Sequence, residues 1–213
     1  MSEQRIRRRR WLPHLEAKGG IYFVTFRLGD SLAKSMLRYV VAERKNIVAT
    51  AAQARRPPSA GEKYRLSNLS RKRMEEFLDR GAGECHMRDQ RVAKTVADAL
   101  CSFDGERYEL FAWCVMPNHV HVVFRPQEDH QLEEIVHSWK SFTAHRANKL
   151  LGRTGTFWRR EYYDHLIRDG QDLARVVNYV AENPRRAGLD NWPWVELRHE
   201  RLKQAMRPGV GHH

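Results

Sequence analysis

The sequence predicts an α+β sandwich, helices packed on an antiparallel sheet, and three observations carry that expectation. Short β-branched and aromatic runs alternate with longer stretches of helical apolar spacing. The two central runs are joined by a tight Pro117-Asn118 turn, as antiparallel neighbours require. No repeat or low-complexity tract interrupts this order, and 213 residues suffice for one ordinary domain with a sizeable core.

In chain order, residues 21–28 (IYFVTFRL) read as a strand following the Gly19-Gly20 breaker. Residues 32–51 carry helical apolar spacing. Arg55, Arg56, Pro57 and Pro58 then mark residues 52–63 as a linker or exposed loop, and 66–80 could hold a short helix. Val92, Val96 and Leu100 recur every four residues, which predicts a helix over 89–101. Residues 108–115 (YELFAWCV) are apolar on both alternating faces, as in a central strand covered on both sides. Residues 119–124 return as its hairpin partner. Leu132, Ile135, Val136, Trp139, Phe142 and Thr143 mark one face of a long helix that Gly152 can end. Residues 162–168 read as another strand. A helix over 172–182 closes the core, stopped by Asn183-Pro184 because proline disfavours the helical conformation in its predecessor.

Composition narrows the function. Lys plus Arg number 38 against 26 Asp plus Glu, a net charge of +12. Such an excess attracts polyanions by Coulomb steering and counterion release, and aromatics are interleaved with the arginines, as in Phe157-Trp158-Arg159-Arg160. Arg7 to Arg10 read as either a DNA-binding arm or a tail. The longest apolar stretch, 110–116, is far short of the roughly 20 residues a membrane-spanning helix needs. No apolar run of signal-peptide type follows the basic N-terminus, so the expected compartment is the cytoplasm, in association with the nucleoid. Cys85, Cys101 and Cys114 show no CxxC spacing, which argues against a disulfide framework or a thiolate zinc site.

His119-Val120-His121 is the strongest chemical signal. Residues two apart on a strand share a face, so both imidazoles emerge together while Val120, Val122 and Phe124 pack the other face. The pattern has two readings, half of a metal site or a pair of half-buried histidines bonded to backbone or carboxylate. On the helix beginning near Asp172 the apolar stripe is Leu173, Val176, Val177 and Val180. Tyr179 and Asn183 lie about 40° apart on its flank, one turn from each other. They could bring a phenol and an amide oxygen to the same site, or serve as ordinary packing and a helix end.

Four motifs in order resemble the REP-associated tyrosine transposases, a branch of the single-tyrosine HUH transposases. They are Met116-Pro117-Asn118-His119-Val120-His121-Val122-Val123-Phe124, Trp139-Lys140-Ser141-Phe142-Thr143, the run 157–168 (FWRREYYDHLIR), and 178–189 (NYVAENPRRAGL). The resemblance covers about 20–194 except 52–84, an insertion relative to compact members. It implies a ferredoxin-like (RRM- or palm-like) core with helices on one face of the sheet. The chain is accordingly divided into a basic arm over 1–18, read from its arginines, the transposase domain over 19–195 with the insertion at about 52–84, and a C-terminal tail over 196–213. By the same resemblance the nucleophile falls on Tyr179, and a divalent metal, Mg or Mn, on His119, His121 and Asn183. Related single-tyrosine transposases use Gln where Asn183 stands. The implied activity is nicking and rejoining of single-stranded DNA through a 5′-phosphotyrosine, on hairpin-containing repeated palindromes, by a monomer or homodimer with no membrane partner.

Lys140, Trp158, Arg159, Arg160, Arg185 and Arg186 are candidate DNA contacts, with Trp158 equally readable as a core residue. Tyr162 and Tyr163 are rival nucleophiles, but neighbours on a strand face opposite ways and neither has a ligand partner at helical spacing. Two other readings compete: a catalytically silent single-strand-binding protein derived from a transposase, and a metal-dependent phosphodiesterase adding a third histidine such as His165.

Overall fold

The computed structural model describes residues 5–9, 12–17, 19–31 and 83–206, with positions 49, 50, 53, 59, 78 and 81. The helix expected over 32–51 and most of the 52–84 insertion lie outside the described residues. At the N-terminus β1 (Arg5–Arg9) and β2 (Leu12–Glu16) pair as an antiparallel hairpin, so the basic arm has extended, paired backbone.

The main sheet has five antiparallel strands: β3 (Tyr22–Arg27), β4 (Tyr108–Val115), β5 (His119–Pro126), β6 (Tyr163–Leu166) and β7 (Val195–Leu197), in the order β6-β3-β5-β4-β7. With α1 (Gln90–Cys101) and α2 (Leu132–Leu150), the first four run β3-α1-β4-β5-α2-β6. Their spatial order is fourth, first, third, second, which is the expected ferredoxin-like topology. Asp89 caps α1 by accepting from Arg91 N at 2.9 Å, and the helix buries Val92, Ala93, Val96, Ala97 and Leu100. They pack with Tyr22, Val24, Phe26, Val120, Val122 and Phe124 on one face of the sheet.

The expectation of helices on one face holds for α1 and α2 and fails for the two that follow. α3 (Gly170–Arg186) and α4 (His199–Ala205) cover the opposite face, where Leu173, Val176, Val180 and Leu202 pack on Phe23, Phe111, Cys114 and Val123. The cause is in the strands: β4 is apolar on both sides, and Phe23 of β3 and Val123 of β5 extend its second apolar face, so each face must be covered. A bulge in β4 between Leu110 and Ala112 adds to this by turning consecutive Phe111 and Ala112 to the same face.

Three further differences have physical causes. The tail expected from residue 196 instead holds most of β7 and all of α4, because Val195 and Leu197 pair with β4 and Leu202 is buried. α3 does not stop before Asn183-Pro184 but continues to Arg186. Proline there removes only its own bond to the Val180 carbonyl, and Ala187 N still reaches Asn183 O at 3.1 Å. Phe142, expected on the buried stripe of α2, is 51% exposed, with the Arg146 guanidinium 5.6 Å from its ring. Among the described residues no helix is long and apolar enough to cross a membrane.

Candidate metal centre and catalytic helix

The site forms where β5 faces α3. On β5 the side chains of Val120, Val122 and Phe124 enter the α1–α2 core, so His119 and His121 turn toward α3, and both are fully buried. Their Nε2 atoms are 2.9 Å apart. Each ring is fixed from behind. His119 Nδ1 lies 2.7 Å from Asn118 Oδ1, and Asn118 Nδ2 donates to the Leu78 carbonyl at 3.1 Å, which orients the amide. His121 Nδ1 lies 2.8 Å from Thr25 Oγ1, its cross-strand neighbour on β3. Phe23 stacks on the His121 ring with centroids 5.4 Å apart.

These contacts determine the protons. Asn118 Oδ1 can only accept, so His119 carries its hydrogen on Nδ1 and presents a bare Nε2. The short contact between the two Nε2 atoms then needs one hydrogen, supplied by His121, whose Nδ1 accepts from the Thr25 hydroxyl. Burial lowers the His119 pKa to about 3, and burial followed by the neighbouring His119 takes His121 well below the usual value. Both rings are therefore neutral near pH 7, the form in which imidazole binds a metal.

α3 completes the arrangement. Asn183 is fully buried, with Nδ2 3.4 Å from His121 Nε2, and its Oδ1 has no hydrogen-bond partner among the described residues. An orphaned amide oxygen costs stability in a protein that only has to fold. One turn earlier the Tyr179 ring meets His121 edge-on at 5.2 Å and Phe23 at 6.0 Å, with its hydroxyl buried. The Arg186 guanidinium is 5.5 Å from the same ring. The bare His119 Nε2, the neutral His121, which would shift its hydrogen from Nε2 to Nδ1 on binding, and an unsatisfied amide oxygen are a donor set suited to a divalent cation.

Other sequence candidates fall differently. Trp158 is a core residue: it is 5% exposed, meets Phe26 edge-on at 4.9 Å and donates from Nε1 to Thr143 Oγ1 at 2.8 Å. Its indole is thus engaged in packing and is not presented for stacking on a base. Lys140 is half-buried and donates to the Arg160 carbonyl at 2.7 Å. Arg159, Arg160, Arg185 and Arg186 are exposed, and Arg185 pairs with Glu182. Tyr162 packs against the α1–α2 core, whereas Tyr163, opposite Thr25, lies on the histidine face. His165 is held by Asp172 at 2.8 Å and does not join the His119–His121 pair.

A separate group, Asp30, Glu84 and His86, has ligand-type atoms within 4.8 Å of one another. There the His86 Nε2 faces the Arg153 guanidinium at 2.6 Å, a cation where a metal needs a lone pair. Sequence reading missed Thr25 and Asn118 as partners of the imidazoles. Asn118 adjoins the histidine pair in sequence, but Thr25 is found only through strand register.

Known proteins resemble this chain over parts of its length. Residues 86–183, a little under half of the chain, match the family described as "Transposase IS200 like". A Haemophilus influenzae protein, provisionally named a REP-associated tyrosine transposase, is 28% identical over 115 residues, 47% of this chain and 65% of that protein. The REP-associated tyrosine transposase of Escherichia coli K12 is 25% identical over 92 residues, 41% of this chain and 53% of that protein. The matched region thus spans under two thirds of either relative. A solved REP-associated tyrosine transposase bound to a REP hairpin aligns over 98% of this chain and 89% of its own, at 20% identity and a TM-score of 0.49. The four sequence motifs and the matched relatives point the same way: over part of its length the chain is similar to REP-associated tyrosine transposases, and its residues 86–183 match the IS200-like transposase family.

Proposed function

We propose that this chain nicks and rejoins single-stranded DNA, with Tyr179 as nucleophile and a divalent cation, Mg or Mn, on His119, His121 and Asn183. The observation that carries the reading is the convergence of these four side chains. They come from β5 and α3, are remote in sequence, and meet on one face with an orphaned amide oxygen among them. When bound, the cation would polarise the scissile phosphate and neutralise charge developing on it.

The protein's own groups supply the rest. The Tyr179 oxygen attacks phosphorus, forming a phosphotyrosine bond to the 5′ side while the bond to the departing 3′ oxygen breaks. That oxygen takes up a proton as a 3′-hydroxyl. Attack by a 3′-hydroxyl reverses the step and joins strands, and the phosphotyrosine conserves the phosphodiester energy, so no nucleotide cofactor is required. A free phenol ionises near pH ~10, so deprotonation of Tyr179 calls on the cation when it is bound. Phe23 and the apolar stripe of α3 keep the site dry, which strengthens each charge interaction within it.

The relatives are named REP-associated, and the substrate is proposed to be single-stranded DNA of repeated palindromic elements, with a hairpin. Arg160, Arg185 and Arg186, exposed on the surface, are proposed backbone contacts. The test is incubation with a panel of hairpin oligonucleotides and Mn²⁺, resolved on a denaturing gel, for wild type and Tyr179→Phe. A covalent band with wild type alone supports the reading. Cleavage that survives Tyr179→Phe removes Tyr179 as the nucleophile, and binding without any band favours the silent binding protein.

A further inference from the structure

Beside the histidine pair, the same face of the sheet carries two opposed arginines. Tyr22, Val24 and Phe26 enter the α1–α2 core and Phe23 the opposite core, so strand alternation puts Arg27 on the face of Thr25 and His121. On β5 its register partner is His119. On its other side the segment preceding β6 extends the pairing: Leu28 bridges Trp158, Arg159 N donates to Arg27 O at 2.8 Å, and Gly29 N donates to Phe157 O at 2.8 Å. That register sets Arg159 directly across from Arg27. One row across the sheet therefore reads Arg159, Arg27, His119, and the next reads Tyr163, Thr25, His121, Cys114.

Like charges directly opposite each other on a sheet are destabilising. Arg27 is half-buried, its Nη1 donates to Ser31 Oγ at 3.3 Å, and its pKa is lowered to about 10, first by burial and then by Arg159, with Glu161 acting the other way. Lys140 adds a third cation. Burial lowers its pKa to about 8, opposed by Glu161 and reinforced by Arg27, while its Nζ is anchored on the Arg160 carbonyl. Arg27 and Lys140 thus share the field of one exposed carboxylate, Glu161, while Arg159 stands opposite Arg27. An anion lying between the two guanidinium forks would turn this repulsion into attraction, and the forks match the geometry of a phosphate.

Resting on the proposed function, we infer that Arg27 and Arg159 form a subsite for a phosphodiester of the single strand, adjacent to the phosphate held at His119 and His121. The subsite lies along the His119 row, so it positions the strand across the sheet toward the β6 edge. Arg27 and Arg159 are here positioning residues; neither takes part in bond making at Tyr179.

The test measures binding of a fluorescent hairpin oligonucleotide, in EDTA and in a Tyr179→Phe background, so that no covalent product forms. Arg27→Gln and Arg159→Gln are each compared with Arg125→Gln, a control whose arginine pairs with Glu109. Each subsite variant is expected to lose about tenfold in affinity and to flatten the salt dependence by about 0.7 in slope. The urea midpoint should be unchanged for Arg159→Gln, whose guanidinium is exposed, while Arg27→Gln also loses its bond to Ser31 Oγ; the Arg159 variant thus separates lost binding from lost folding. Affinities within twofold of the parent overturn the subsite, as does an equal loss in Arg125→Gln, which would indicate net charge alone. If wild type forms the Tyr179 adduct while the arginine variants bind normally, only the subsite fails. If the parent binds no hairpin even at low salt, the subsite and the DNA-processing reading fail together.

Discussion

Replacing Asn183 with leucine separates what this residue does for folding from what it does for metal binding. Asn183 is fully buried, its Oδ1 has no hydrogen-bond partner among the described residues, and its Nδ2 makes one long contact of 3.4 Å to His121 Nε2. Leaving a buried polar group unsatisfied costs about 1–3 kcal/mol, and an apolar side chain of similar volume removes that cost. Asn183→Leu should therefore stabilise the metal-free protein by about 1–3 kcal/mol. The same change deletes one of three proposed ligands, so Mn²⁺ affinity should fall by more than the ~10–100-fold typical of losing a residue behind the ligands. Urea unfolding in EDTA reads the first effect and titration calorimetry with Mn²⁺ the second. Opposite signs are expected, as where a site is kept at the expense of stability. A variant that is less stable than wild type by more than about 1 kcal/mol in EDTA refutes the reasoning, since the amide would then be holding the fold together.

Three other outcomes follow from the same contacts. In EDTA, acid should unfold the protein early. His119 is lowered in the folded state to about 3, below the ordinary unfolded value of ~6.5, so its contribution is complete above that value and is lost as pH falls toward 3. The two values correspond to about 2 kcal/mol lost by pH 5, measurable by urea unfolding at pH 7 and 5; a loss under about 0.5 kcal/mol contradicts the assignment. Thr25→Val should weaken Mn²⁺ binding ~10–100-fold and Thr25→Ser should restore it, because only a hydroxyl can donate to His121 Nδ1 in one tautomer and accept from it in the other. Calorimetry of both variants decides this, and equal affinities exclude it. Trp158→Ala should cost about 3–5 kcal/mol of stability, read by urea unfolding, as expected for a buried tryptophan; a loss under 1 kcal/mol would show that the indole is not holding the core.

Much of this arrangement was legible in the sequence because it is local. Strand alternation placed His119 and His121 on one face, and helical spacing put Tyr179 and Asn183 one turn apart. The convergence of the two elements was not legible from spacing, since it depends on α3 crossing the face opposite α1 and α2. The both-sided apolarity of β4 already required such a cover, although helices were expected on one face only. Thr25 and Arg27 were invisible as site residues because their roles come from register with β5 and with the segment around Trp158. Trp158 shows the converse: neighbouring arginines suggested DNA, whereas its bridge to Leu28 turns the indole inward. β7 and α4 were missed because a three-residue strand and a seven-residue helix carry too few periods to be recognised.

The central claim is a covalent bond between Tyr179 and DNA, and its most direct measurement is peptide mapping of the product by mass spectrometry. Wild type would be incubated with Mn²⁺ and a cleavable hairpin oligonucleotide, then digested with protease and nuclease. The account predicts a nucleotide attached through its 5′-phosphate to the peptide containing Tyr179, and a free 3′-hydroxyl on the released strand. Attachment at Tyr162 or Tyr163, or cleavage with no protein-linked nucleotide, would contradict it.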